Sequence, residues 1–301
     1  MQRKVIQLAG KTLVISLPSK WAKNNGIEKG DDIEIEEQEK RLIVSTSKES
    51  KADKITLDIN EIGYYDPLYI AYLYQAGIDE IKINYTDREV FRKIQEKIPD
   101  LMGYEIINQG ENYAEIKNVS SALEEEFETM LRRTFYLLED MGKSSLEAIK
   151  NKDYERLKDL IQLEKSVDKF TDFCKRVLTK RGYKNPHKTQ FYYVIIRDLE
   201  KIGDFYEEIA KQVIETKIIP EKTTLEIYQQ ANEFLSSFHK LFYKFSKEQA
   251  SEFQKNKKEL NNKTHNIMKT AKKEDLYILY NLASLIKITG NLYGPYFTTT
   301  I

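Results

Sequence analysis

Residues 197–210 read RDLEKIGDFYEEIA and lie in the middle of a helix that the hydrophobic pattern predicts over 187–217. Apolar residues recur there at alternating four- and three-residue steps, the spacing that places side chains on one buried helix face. These residues are Ile195, Leu199, Ile202, Tyr206, Ile209 and Val213. Glu200 and Asp204 stand four residues apart beside this face, so both carboxylates project from the same edge of the helix.

The preceding predicted helix, over 153–182, repeats this arrangement with Glu164 and Asp168. Its apolar face is formed by Leu160, Leu163, Val167, Phe170 and Cys174. Two antiparallel neighbours could bring both carboxylate pairs together, and four carboxylates repel one another unless a cation lies among them. Gly203 leaves room beside them for a neighbouring helix or an ion, at some cost in helix stability. The alternative is a solvated acidic face, which is common in a chain with 48 acidic residues.

Helical patterns continue on both sides of these motifs and predict two successive three-helix units. The helices are predicted over 121–151, 153–182, 187–217, 222–248, 249–272 and 275–293. Two similar units in succession, 121–217 and 222–293, indicate an internal duplication. The tail at 294–296 is expected to end the helical part.

The second predicted unit does not keep the acidic motifs. Ile286 and Gly290 stand where the carboxylates would be, and the middle helix offers Lys258, Asn262 and Lys263 instead of an acidic pair. We therefore expect at most one metal site, in the first unit, and a purely structural role for the second.

The stretch over 197–210 closely resembles the PhoU family signature, R-x-L-E-R-I-G-D-x-x-x-N-I-A, and departs from it at Lys201 and Glu208. The resemblance covers about residues 121–293. It implies a pair of three-helix bundles whose E/D-x-x-x-D motifs bind multinuclear metal clusters. The candidate ligands here are Glu164, Asp168, Glu200 and Asp204.

The metal itself is not fixed by these residues. Oxygen ligands alone suit Mg, Ca, Mn or Fe. The family resemblance favours iron or zinc, and it leaves Mg, Mn and Ca open.

The N-terminal 47 residues have a different character. Short strands are predicted at 5–8, 13–17, 33–36 and 41–44, with a short helix after Pro18. So small a segment cannot bury enough apolar area alone, which indicates intertwined dimerisation. Basic residues also dominate its first 29 positions, against a single acid, although the whole chain has no net charge.

The sequence over 10–31, GKTLVISLPSKWAKNNGIEKGD, resembles the AbrB/MazE/SpoVT swapped-hairpin family, and the match extends over residues 1–47. This resemblance implies a dimer of interlocked hairpins that binds DNA through basic residues. Some members of the family only dimerise, so that alternative stays open. The candidate DNA-binding residues are Arg3, Lys4, Lys11, Lys20 and Lys23.

Residues 52–119 predict a small βαβαββ module. Its strands are expected at 55–59, 80–84, 104–107 and 113–116, and its helices at 66–76 and 88–97. Nothing in the module points to a particular chemistry. The complete chain is thus predicted to be a multidomain α+β protein, with a swapped-hairpin β domain, this module and an all-α pair of bundles.

Several classes of protein are excluded by what the sequence lacks. Cys174 is the only cysteine, which excludes an internal disulfide and a multi-cysteine zinc site. The three histidines do not follow a glutamate at the spacing of di-iron carboxylate enzymes. No glycine-rich phosphate loop, H-E-x-x-H or G-x-S-x-G motif occurs. We expect a cytoplasmic protein without membrane insertion and without enzymatic activity.

The order of the three parts resembles archaeal-type fusions of an AbrB-like domain with a PhoU-like domain. That resemblance implies a transcriptional regulator of phosphate uptake genes, with DNA and a second copy of the chain as partners. The alternative is a PhoU-like adaptor that regulates a phosphate or ion transporter by protein–protein contact, for example with a phosphate transporter ATPase subunit. The N-terminal domain would then serve only for dimerisation. A metal-dependent enzyme is the third and weakest hypothesis.

Overall fold

The computed structural model describes residues 1–8, 10–38, 41–46, 52–120 and 125–300. The chain forms two compact units, residues 1–53 and residues 54–301. The boundary that the sequence predicts, between 47 and 52, falls largely outside the described residues.

The first unit consists of two antiparallel strand pairs and one short helix. Strands β1 (Ile6–Leu8) and β2 (Thr12–Val14) form the first pair, and β3 (Glu34–Gln38) and β4 (Arg41–Ser45) form the second. Helix α1 (Ser19–Asn24) follows Pro18, as predicted. None of the described side chains of this unit is buried.

The second unit begins with a four-stranded mixed sheet, which confirms the βαβαββ prediction. Its strands are β5 (Lys54–Asp58), β6 (Glu80–Asn84), β7 (Tyr104–Gln109) and β8 (Tyr113–Asn118), in the order β5-β6-β8-β7. Strands β5 and β6 are parallel, and the remaining pairs are antiparallel.

Three helices accompany this sheet: α2 (Ile59–Ile62), α3 (Leu68–Gln75) and α4 (Arg88–Lys97). The predicted strand over 55–59 ends one residue early because the Asp58 carboxylate accepts a hydrogen bond from the Asn60 amide and caps α2. The sequence did not predict this short helix.

The remainder is helical, as predicted. The six long helices are α5 (Phe127–Asn151), α6 (Tyr154–Arg181), α7 (Thr189–Thr216), α8 (Lys222–Tyr243), α9 (Lys247–Met268) and α10 (Lys273–Asn291). The expected end at 294–296 is wrong, because helix α11 (Tyr293–Thr300) continues the chain. Pro295 lies in the first turn of α11, where its missing N–H costs no hydrogen bond.

The two three-helix repeats share one hydrophobic core that extends from Phe127 to Tyr296. Helix α5 packs against α8, and α7 packs against α10. No helix in the described part of the chain is both long and apolar enough to cross a bilayer.

The module that contains the mixed sheet also packs against helix α6. Helix α3 packs on it, and the buried Arg176 of α6 donates to the carbonyl oxygens of Tyr74 and Ile78, at 2.9 and 2.6 Å. Along α6 the eight residues 171–178 are all buried. The sheet and the bundle, which the sequence divides into separate domains, therefore lie together in one compact unit.

Candidate metal centre and nucleic-acid interface

Three of the four predicted metal ligands come together between α6 and α7. Glu164, Asp168 and Asp204 each offer a carboxylate oxygen, and these oxygens lie within 4.8 Å of one another. Glu164 is buried, Asp168 is half-buried and Asp204 is exposed, so the group extends from the helix interface to the surface. We call these three residues the acidic cluster.

The surroundings of the acidic cluster disfavour the ionised forms of its carboxyl groups. Burial and the neighbouring Asp168 hold the pKa of Glu164 well above its ordinary value. Although Asp204 reaches the surface, its carboxyl group is partly removed from water, which raises its pKa to about 6, and the charges of Asp168 and Glu200 add to that effect. Proximity of like charges and removal from water both disfavour the ionised forms, and a bound cation would reverse both effects.

One buried oxygen atom of the acidic cluster lacks a partner that a bound cation would supply. Glu164 is only 6% exposed, and its buried Oε1 atom has no hydrogen-bond partner within the described structure. Buried polar atoms are almost always satisfied, so such an orphan calls for a ligand. The residues present therefore fit a divalent cation with oxygen ligands, completed by water on the exposed side.

Glu200, the fourth predicted ligand, is engaged elsewhere. Its carboxylate forms an ion pair with the ammonium of Lys175 and accepts a hydrogen bond from Thr171 Oγ1 at 3.4 Å. Lys175 also pairs with Asp172, with 3.3 Å between Nζ and Oδ1. The acidic cluster thus borders a second charged group, formed by Asp172, Lys175 and Glu200, which we call the lysine network.

The sequence analysis missed Asp172 and Lys175. A signal for Asp172 was present, since Glu164, Asp168 and Asp172 follow one another at four-residue steps along α6. Nothing in the sequence indicated that Glu200 would form an ion pair with Lys175 instead of joining the other acids.

Gly203 serves helix packing rather than ion binding. A Cβ atom at this position would lie 3.2 Å from Cγ1 of Val167 on α6. The sequence predicts room beside Gly203 for either a helix or an ion, and in the structure helix α6 occupies this space.

The second repeat holds different side chains at the corresponding place. Ile286 is fully buried, and Lys257 of α9 donates from Nζ to the Gly290 carbonyl at 2.9 Å. Lys258, Asn262 and Lys263 are exposed. Among the residues that the structure describes, the acidic cluster is the one group of three His, Cys, Asp or Glu side chains close enough to share an ion.

The five predicted DNA-binding residues are all exposed and belong to the first unit. Lys20 and Lys23 lie on α1, Lys11 lies in the turn before β2, and Arg3 and Lys4 precede β1. No ion pair joins them to an acid in the described part of the chain, so their charges face solvent.

Comparison with known proteins identifies both parts. The family model described as "PhoU domain" matches residues 131–213, and the one described as "Antidote-toxin recognition MazE, bacterial antitoxin" matches residues 6–53. The chain therefore carries a MazE/AbrB-type antitoxin domain at its N-terminus and a PhoU domain in its first helical repeat, which confirms both predicted resemblances. Both families are regulatory.

Among solved structures, the chain is similar to the phosphate transport system regulatory protein PhoU from Streptococcus pneumoniae. The identity is 17% and the TM-score is 0.45, with 57% of this chain and 92% of that chain covered. No curated protein sequence matches the chain. The two domains together support a DNA-binding regulator or a PhoU-like regulator in general.

Proposed function

We propose that this protein is a cytoplasmic, non-enzymatic transcriptional regulator of phosphate uptake genes. Two copies of the N-terminal unit bind DNA, and the PhoU domain binds a divalent cation and relays its presence. The observation that carries this proposal is the joining, in one chain, of an exposed basic unit of the MazE/AbrB type to a PhoU domain in which three carboxylates lie close enough to share an ion.

The N-terminal unit requires a second copy to complete its core. Ile6, Leu13, Ile35 and Leu42 expose between 55% and 68% of their surface, although all four lie on strands. Apolar strand residues are stable in such numbers only when another surface covers them. A dimer supplies that surface and doubles the basic residues offered to DNA.

The PhoU domain supplies the cation site. Glu164 and Asp168 on α6 and Asp204 on α7 would hold the ion, and Glu164 would satisfy its buried oxygen by binding it. A bound cation provides positive charge between the two helices, whose facing carboxylates otherwise repel each other. Binding therefore changes how strongly α6 and α7 attract each other at this point.

The test is DNA binding by the full-length protein, measured by fluorescence anisotropy at low salt. The probes are the DNA upstream of its own gene, the DNA upstream of phosphate uptake genes and a shuffled sequence of equal length. We expect the first two to bind more tightly than the third. In the control variant, Lys247→Ala with Lys255→Ala, two lysines of α9 are removed, and binding should be unchanged.

Failure to bind any of these probes at low salt would contradict the proposal. If the same preparation then captured a phosphate transporter ATPase subunit, the adaptor hypothesis would replace it. If DNA binds but without preference for phosphate uptake genes, the protein is a DNA-binding regulator of other targets.

A further inference from the structure

The lysine network places a fixed positive charge next to the acidic cluster. The Lys175 side chain is only 5% exposed, and it contacts carboxylates on two helices, Asp172 on its own helix and Glu200 on α7. A buried ammonium is stable only when such partners surround it. Lys175 is therefore part of the architecture of this interface.

Both partners of Lys175 are held in place from other sides. The Asp172 carboxylate accepts a hydrogen bond from Nε2 of Gln75, on helix α3, at 2.8 Å. The Glu200 carboxylate accepts one from Thr171 Oγ1. Glu200 therefore cannot join the acidic cluster without giving up its ion pair with Lys175 and its hydrogen bond from Thr171, which is costly at a largely buried interface.

The lysine network lies close enough to influence the acidic cluster. Asp172 lies one turn from Asp168 on α6, and Glu200 lies one turn from Asp204 on α7, a spacing at which side chains of one helix are neighbours. A cation placed beside Glu200 would meet the Lys175 ammonium at close range and be repelled.

We infer that Lys175 takes the place of a second metal ion, so that this PhoU domain binds a single divalent cation on Glu164, Asp168 and Asp204 rather than a metal cluster. The inference rests on the cation site of the proposed function. It adds the number of ions that the site binds and names Lys175 as the residue that limits this number. Glu200 is then a partner of Lys175 and not a metal ligand.

The experiment counts Mn²⁺ on the full-length protein after removal of metals with a chelator. Equilibrium dialysis with elemental analysis gives the number of ions, and electron paramagnetic resonance separates single Mn²⁺ ions from adjacent, coupled pairs. We expect about one uncoupled ion per chain, as a three-carboxylate site for one hard cation predicts.

Four variants separate the roles of the residues. Asp204→Asn removes a ligand and should weaken Mn²⁺ binding about tenfold or more, whereas Glu200→Gln should change the affinity by less than about threefold. Lys175→Met removes the internal cation, and a second, coupled Mn²⁺ should bind beside Glu200. Lys158→Met is the control: this lysine of α6 pairs with Glu155, outside the lysine network, and the count should stay at one.

Each failure has a distinct meaning. If the wild-type protein binds two coupled ions, or if Glu200→Gln weakens binding as much as Asp204→Asn does, the inference is wrong and the metal site stands. If Asp204→Asn binds Mn²⁺ as the wild type does, the metal site of the proposed function is itself wrong. Should Lys175→Met fail to fold by circular dichroism, the comparison of Glu200→Gln with Asp204→Asn still decides the question.

Discussion

The guanidinium of Arg176 on α6 donates to the carboxylate of Asp79 across the interface between sheet and bundle, with 2.6 Å between Nη2 and Oδ1. The same group lies over the rings of Tyr74 and Tyr104, 5.0 and 5.5 Å from their centroids. Because the Arg176 side chain is 2% exposed, water cannot readily replace the hydrogen bonds that it donates.

Replacing Arg176 with methionine should therefore destabilise the second unit strongly. The variant loses the hydrogen bonds from this charged donor to Tyr74, Ile78 and Asp79, and each such bond contributes about 1.5–3 kcal/mol to the free energy of unfolding. Arg92→Met, which removes an exposed ion pair with Glu89, should cost about 0–1 kcal/mol. Denaturant unfolding followed by circular dichroism measures both. Equal losses in the two variants would contradict the structural role of Arg176.

DNA affinity should depend steeply on salt. A dimer presents two copies of Arg3, Lys4, Lys11, Lys20 and Lys23. If about six of these charges meet phosphates, log affinity falls with log salt at a slope of about −5. Changing Lys11 and Lys20 together to alanine should flatten the slope, because four charges leave the dimer. Affinity independent of salt, measured by anisotropy over a salt series, would exclude this mode of binding.

The acidic cluster should make stability depend on pH in an unusual direction. In the metal-free folded protein Asp204 holds its proton up to a pKa of about 6, above its ordinary 3.8. Between these values the folded state binds more protons than the unfolded state, so this group lowers the free energy of unfolding as pH rises. Asp204→Asn should therefore gain stability relative to the wild type as pH rises through this window.

Chemical denaturation of both proteins in the presence of a chelator tests this. The advantage of the variant should grow between the two pH values and then level off. Asp159→Asn, at an exposed acid of the neighbouring helix α6, is the control and should show no such growth. Mn²⁺ affinity of the wild type should rise across the same window, because the ion binds the deprotonated carboxylates. A constant affinity would contradict the assignment of Asp204.

Self-association should depend on the exposed apolar faces of the first unit. Leu13, in β2, is 68% exposed, and a glutamate there would place a charge in the proposed dimer core. Light scattering should give at least twice the mass of one chain for the wild type and about half that value for Leu13→Glu. Asn24→Glu puts the same charge at the exposed end of α1, away from the strands, and should leave the mass unchanged.

Much of this fold follows from local pattern. The long apolar stripes predict six helices whose ends agree with the structure to within a few residues, and strict alternation predicts the strands of the sheet. The errors lie where two local rules compete. Gly294 and Pro295 together predict a helix end, but proline is also favoured in the first turn of a helix, which is its position in α11.

The candidate site was predictable only in part. Four-residue spacing identified the acids that share a helix edge, and three of the four meet as expected. Spacing along one helix does not reveal which residues of a second helix lie opposite. The pairing of Glu200 with Lys175 depends on the relative rotation of α6 and α7, and the contact of Asp172 with Gln75 depends on how the sheet packs on α6.

The continuous burial of residues 171–178 constrains how this protein can diverge. Most helices of a globular protein leave one side in water, and substitutions accumulate there without effect on packing. This segment has no such side, because α3 covers one flank and α5 and α7 cover the other. A substitution that improves its fit to the sheet therefore alters its fit to the bundle. Sheet and bundle must evolve together, and a chimaera that took either layer from a relative would also need that relative's version of this segment.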